Sequence, residues 1–185
     1  MNNERLVLKR VPQSSDVESA ISTAQSIFEE LRDEIQEVVD NAEGGLAETQ
    51  RIQTLGETAE TLGEIVDDSI DLPEPPLNEN DLFMGNASWT ENQRKGISRS
   101  DRRDNGVNIL DAVFSEIEAA IERADTRLED LADEEKDEED EKKKEKLETL
   151  KDEIESYKSD LESALEQVGT WQDHAQSVEF PGRGG

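Results

Sequence analysis

The sequence has no cysteine, a single histidine, and aromatic residues at only 4% of its 185 positions. Without cysteine, disulfides and thiolate metal sites are excluded. With hydrophobic residues at 32%, a thick globular core is out of reach. The composition is closer to that of long helices packed along narrow seams. No stretch approaches the roughly 20 apolar residues of a membrane-spanning helix. The apolar run Leu6-Val7-Leu8 is too short for a secretory signal. These absences predict a soluble chain, cytoplasmic or part of a virion, with no recognisable export signal.

Basic residues are also scarce. Against 48 Asp and Glu stand 20 Lys and Arg, a formal net charge of -28. At ordinary ionic strength so many like charges repel within a compact fold. A disordered acidic chain is one explanation, since low hydropathy and high net charge mark disorder. The other is a fold adapted to molar salt, where the Debye length falls to roughly 3 Å and repulsion is screened. The apolar residues favour the second, because they recur at helical spacing.

Residues 16–40 carry Val17, Ile21, Ala24, Phe28, Leu31, Ile35 and Val38, stepping by 4, 3, 4, 3, 4, 3. That is an a/d pattern over three heptads. Ser14 or Ser15 is available as an N-cap, and Gly44-Gly45 ends the helix. A second helix, over about 46–70, carries Ile52, Leu55, Ala59, Leu62 and Val66. Its Gly56 and Gly63 share a face and suggest a close helix approach. The third, 107–132, has seam residues Leu110, Phe114, Ile117, Ile121, Ala124, Leu128 and Leu131, with Val113 and Ala120 widening the stripe. The fourth, 145–168, has Leu147, Leu150, Ile154, Tyr157, Leu161, Ala164 and Val168. The seam frames of the last two helices differ by two residues, which neither a 3- nor a 4-residue insertion explains. A turn within 133–141 accounts for this. An unbroken charged helix is the alternative, since no Gly or Pro marks the turn.

The expected architecture is therefore all-α, with four long heptad-patterned helices forming two antiparallel hairpins in a bundle or coiled coil. An extended N-terminal arm (1–14) precedes hairpin 1 (15–72). A Pro-rich and basic connecting loop (73–106) leads to hairpin 2 (107–168), whose charged tip spans 133–146. An irregular C-terminal tail (169–185) follows.

Motifs for catalysis and cofactors are missing. Paired carboxylates are everywhere, and none interrupts a seam, so they read as a solvated face rather than acids with shifted pKa values. A di-metal carboxylate bundle needs Glu-x-x-His pairs; the residue three before His174 is Trp171. The acidic run 133–140 lacks the glycine of a calcium loop. No phosphate-binding glycine loop or nucleophile elbow occurs. Neither an enzymatic activity, a cofactor nor a small-molecule substrate is expected. Asn86-Ala87-Ser88 is a glycosylation sequon, relevant only to an exported chain.

Partner contact is expected where the chain departs from acidic heptads. Arg5, Lys9 and Arg10 form a basic arm. Trp89 precedes the cluster Arg94, Lys95, Arg99, Arg102 and Arg103. Trp171 and Phe180 mark the tail, which either folds back over the bundle or extends to a neighbour. A basic cluster beside an aromatic can bind nucleic acid, but the overall negative charge opposes a phosphate backbone. Docking on acidic helices, of the same chain or a neighbouring subunit, is the stronger reading. The composition is similar to that of acidic proteins of haloarchaea and their viruses, a likeness carried by no diagnostic motif. The expected function is non-catalytic: a structural or assembly protein of a halophilic system, such as a virus neck, adaptor, scaffold or tail subunit, in a homo-oligomer or larger assembly. The alternative is a regulatory adaptor or chaperone that offers a groove to a partner helix.

Overall fold

A computed structural model describes residues 9–42, 49–77, 79–93 and 97–181. Among them are four α-helices and one two-stranded sheet. In chain order these are β1 (Lys9–Asp16), α1 (Val17–Asp40), α2 (Gln50–Asp67), β2 (Asn86–Gln93), α3 (Arg99–Asp137) and α4 (Glu141–Ser177). A short 3-10 turn, Asn80–Leu82, lies between α2 and β2. The molecule is mostly helical, and all-α holds as a coarse description. No helix among the described residues is long and apolar enough to cross a membrane.

The helix α1 starts where Asp16, not Ser14 or Ser15, takes the cap. Its Oδ1 accepts from the Ser19 N–H at 2.8 Å, meeting one of the orphan donors of the first turn. Ser14 and Ser15 belong instead to β1, which pairs antiparallel with β2 from Lys9↔Gln93 to Asp16↔Asn86. The arm expected over 1–14 is extended where it is described, from Lys9, but it is paired, and the reading of 73–106 as a loop is corrected: the eight-residue strands β1 and β2 form a ribbon. The alternation that would signal β2 is weak in apolar terms, since only Ala87 and Trp89 are hydrophobic. On burial it is plain: Ala87, Trp89 and Glu91 are sheltered, whereas Asn86, Ser88 and Thr90 are exposed.

The side chain of Asn105, on α3, seals the outer edge of β2. Its Oδ1 accepts from the Asn92 N–H at 2.9 Å, and its Nδ2 donates to the Asn92 carbonyl at 3.2 Å. Asn105 is only 3% exposed, so the amide stands in for a third strand where water cannot reach. Since both polar groups of Asn92 point outward, the Arg10–Asn92 pair is a non-hydrogen-bonded one. Pro12, two residues along β1 and opposite Thr90, occupies the same kind of position. Its missing N–H therefore costs the ladder nothing.

The helix α3 begins eight residues earlier than expected, at Arg99. Ser98 caps it through a capping box: the Ser98 Oγ accepts from the Asp101 N–H at 3.1 Å, and Asp101 Oδ2 accepts from the Ser98 N–H at 3.2 Å. That Ser-x-x-Asp signature is present in the sequence, but no apolar residue follows until Val107. At the other end of the chain, α4 runs to Ser177, so 169–177 is not an irregular tail. Trp171, Ala175 and Val178 continue the 3-and-4 stepping of Leu161, Ala164 and Val168, and all six are buried. Between α3 and α4 only 138–140 leave the helix, inside the interval where the seam frames clash. The Gly44-Gly45 helix stop lies outside the described residues.

The core follows the apolar stripes with local shifts. Ile21, Phe28, Leu31, Ile35, Leu55, Leu62, Ile117, Ile154, Tyr157 and Leu161 are buried. Phe114, Ile121, Leu128 and Leu150 pack against the core but stay partly exposed. On α3 the deepest positions are Leu110, Val113, Ile117, Ala120, Ala124 and Leu131, so Val113 and Ala120 sit where Phe114 and Ile121 are expected. The reason is that α3 touches α1, α4 and β2 at once, which requires a broad apolar face rather than a narrow seam.

The glycines of α2 make no close approach. A Cβ on Gly56 would meet nothing within 4 Å, and on Gly63 only Arg32 Cδ at 3.9 Å. The close approach is elsewhere: a Cβ on Gly106 of α3 would lie 2.5 Å from Phe28 Cζ.

Candidate interaction surfaces

The basic residues of α3 turn toward their own chain. Arg99 Nε donates to Glu34 Oε1 at 2.8 Å, and Arg102 donates to Glu34 Oε2. One α1 carboxylate thus receives two guanidinium groups from the first turn of α3. Partial burial pushes the Glu34 carboxyl up, but the hydrogen bonds and charges of Arg102 and Arg99 outweigh it and hold it below the ordinary glutamate value. Arg103 binds Asp104 at 2.7 Å and donates to the Val178 carbonyl at 3.2 Å. Its guanidinium also lies 5.9 Å from the centre of the Phe180 ring, within cation–π range. Arg103 therefore fastens the chain after α4 onto the start of α3.

Glu34→Gln should lower stability at pH 7 by about 1 kcal/mol, the scale of a partly exposed ion pair. A carboxylate with a depressed folded pKa stabilises above its unfolded value, and that contribution is lost as pH falls through the folded value. The difference between the two proteins should therefore shrink on acidification from pH 7 to 3, as followed by thermal midpoints. A difference that stays constant with pH would show that the charge of Glu34 contributes nothing.

Trp171 is core. It is 1% exposed, and its Nε1 donates to Asp68 Oδ2 at 3.0 Å, just past the end of α2. Phe180 is half-buried against the core. The tail residues thus fold back within the chain. Trp89 is half-buried on β2, and together with exposed Arg10 it flanks a polar hollow that includes Asn92, Asn108 and Asp111. Arg5, Arg94 and Lys95 lie outside the described residues, and Lys9 is described by its backbone alone. The structure thus brings Arg99 and Arg102 together on Glu34 and Arg103 together with Phe180; Trp89 and Trp171 belong to separate environments.

No group of three or more His, Cys, Asp or Glu among the described residues is placed to hold a metal ion. His174 Nδ1, on α4, lies 3.3 Å from Glu64 Oε2 on α2.

A surface that sequence reasoning missed lies between α2 and β2. Phe83 is 57% exposed and Leu77 90%, the two large hydrophobic side chains most open to solvent among the described residues. The backbone around Phe83 is firmly held. The Phe83 carbonyl accepts from Arg123 at 3.1 Å, and the Gly85 N–H donates to Glu116 Oε1 at 2.6 Å. Just before it, the Leu82 carbonyl accepts from the Tyr157 hydroxyl at 2.8 Å, and Glu79 Oε2 accepts from Arg127 at 2.9 Å. Burial pushes the Tyr157 hydroxyl above its ordinary pKa, with the Arg123 charge opposing. An anchored backbone thus presents an apolar ring to water. The sequence signal was Leu82-Phe83-Met84 itself: three apolar residues in a polar segment.

The chain matches no known family model, no curated protein and no solved structure.

Proposed function

We propose that this chain is a non-catalytic helical assembly protein of a salt-rich environment, a subunit of a larger particle such as a virus neck, adaptor, scaffold or tail. In this reading α1 with α2, and α3 with α4, form two antiparallel hairpins that serve as a rigid body. The cross-helix contacts support that arrangement: Glu135–Lys151, Asp125–Lys158 and Asp111–Gln172 join α3 and α4 at rising numbers on one helix and falling numbers on the other.

The observation that carries the proposal is how the charges are distributed. Arg32, Arg99, Arg102, Arg103, Arg123 and Arg127 are each held by acceptors of the same chain. Acids line the outer faces of all four helices. These six arginines act as internal fasteners, and the exterior carries a large excess of carboxylates whose mutual repulsion salt relieves. The thermal midpoint is therefore expected to rise by at least 5 °C from 0.1 to 2 M KCl, equivalent to roughly 1–2 kcal/mol for a chain of this size. A flat or falling midpoint in differential scanning calorimetry removes the salt-adapted reading.

Assembly itself is tested by size-exclusion chromatography with light scattering in 2 M KCl. A fixed oligomer is expected. A monomer that instead captures an amphipathic helix peptide favours the adaptor or chaperone alternative.

A further inference from the structure

Beside Phe83 lies a groove of about 480 Å³. Its apolar floor and walls are Ile70, Leu72, Pro73, Pro75, Phe83 and Met84. Exposed carboxylates rim it: Glu18 from the first turn of α1, with Asp71 and Glu74 from the segment after α2. None of these three acids has a basic partner among the described residues. An apolar trough with an acidic rim fits an extended peptide of apolar residues flanked by bases. The chain contains one segment of that chemistry, Arg5-Leu6-Val7-Leu8-Lys9-Arg10. We propose that the groove receives Leu6-Val7-Leu8 of a second copy, with the flanking bases meeting the carboxylates of the rim.

Reach excludes the copy's own segment. The groove adjoins Asp16 and Gly85, at the end of the ribbon where Asp16 pairs with Asn86. The segment joins the described ribbon at Lys9, the opposite end of an eight-residue strand, roughly 23 Å away. Leu6 lies within about 10 Å of Lys9 however far the chain extends. The groove therefore lies beyond the reach of its own chain's Leu6-Val7-Leu8, and only a second copy can fill it. Two copies can exchange their segments reciprocally as a two-fold dimer, or the contact can repeat as a ring or an open chain.

This inference rests on the assembly reading and names its joint. The test uses two full-length variants in 2 M KCl: Leu6→Asp with Leu8→Asp, which spoils the donor, and Phe83→Asp, which spoils the acceptor. Phe83 is 57% exposed, so an aspartate there leaves the fold intact, as circular dichroism will check. Light scattering should give the mass of an oligomer for the wild type and of a monomer for each variant. An equimolar mixture of the variants should recover one-to-one pairs, because each supplies the half that the other lacks. If the wild type is monomeric, the assembly reading fails and this inference with it. If both variants still assemble, the reading stands and this joint is wrong. If both are monomeric and the mixture stays monomeric, the segment and the groove are not each other's partners.

Discussion

Replacing Trp171 with alanine is expected to cost about 3–5 kcal/mol, a large share of the 5–15 kcal/mol that typically separates a folded domain from its unfolded state. The side chain is the largest among those fully buried, and it sits in α4 beside the end of α2. Two losses combine: a cavity opens where the indole was, and Asp68 loses the donor at 3.0 Å. Trp171→Phe separates them. It keeps most of the apolar volume and removes the hydrogen bond, so a loss of roughly 1–2 kcal/mol is expected. Urea titrations in 2 M KCl read both. An alanine variant within 1 kcal/mol of the wild type would mean that Trp171 is not packed as described and that the chain after Val168 is loosely attached.

Gly106→Ala is expected to destabilise by roughly 1–3 kcal/mol, although alanine is the better helix former. The added methyl would lie 2.5 and 2.7 Å from Cζ and Cε1 of Phe28, a ring with no exposure and so no free direction of retreat. Gly56→Ala supplies the control: with nothing within 4 Å of its Cβ, the same change should stabilise by up to about 1 kcal/mol. Trimming the ring by Phe28→Leu should make Gly106→Ala less harmful, a favourable coupling of about 1 kcal/mol in a double-mutant cycle. If Gly106→Ala stabilises as Gly56→Ala does, the helices α1 and α3 stand further apart than the structure places them.

These two sites also show what sequence can and cannot reveal here. The run from Val17 to Val38 could be read almost to the residue, because each apolar position repeats a local period and that period needs no knowledge of neighbours. Trp171 breaks no period either: it stands three residues after Val168, in step with the seam of α4. Gly106 is different. Its role exists only because Phe28 stands opposite it, and nothing in the spacing of α3 points to a residue of α1. The ribbon was hidden for a related reason. Alternation is clear in β1 and β2 once burial is known, but the inward residues are Val11, Gln13 and Ser15 facing Ala87, Trp89 and Glu91, of which only half are apolar. The groove needs three separate segments to meet. The arginines of 99–103 were visible as a cluster, whereas their shared partner Glu34, from a helix 65 residues away, was not.

The charged end of the α3–α4 pair has its own consequence. Beyond Leu131, and until Ile154, neither helix has a fully buried hydrophobic side chain; Leu147 and Leu150 are only partly covered. Residues there answer to helix propensity and charge, and hardly to shape. The identity of a side chain in the core is constrained by every neighbour it touches, but in this end one Glu can replace another acid and one Lys another base at little thermodynamic cost. Mutational drift should therefore be rapid in order and slow in composition, so that two diverged forms of this protein would share the character of their tips long after losing any alignable identity there.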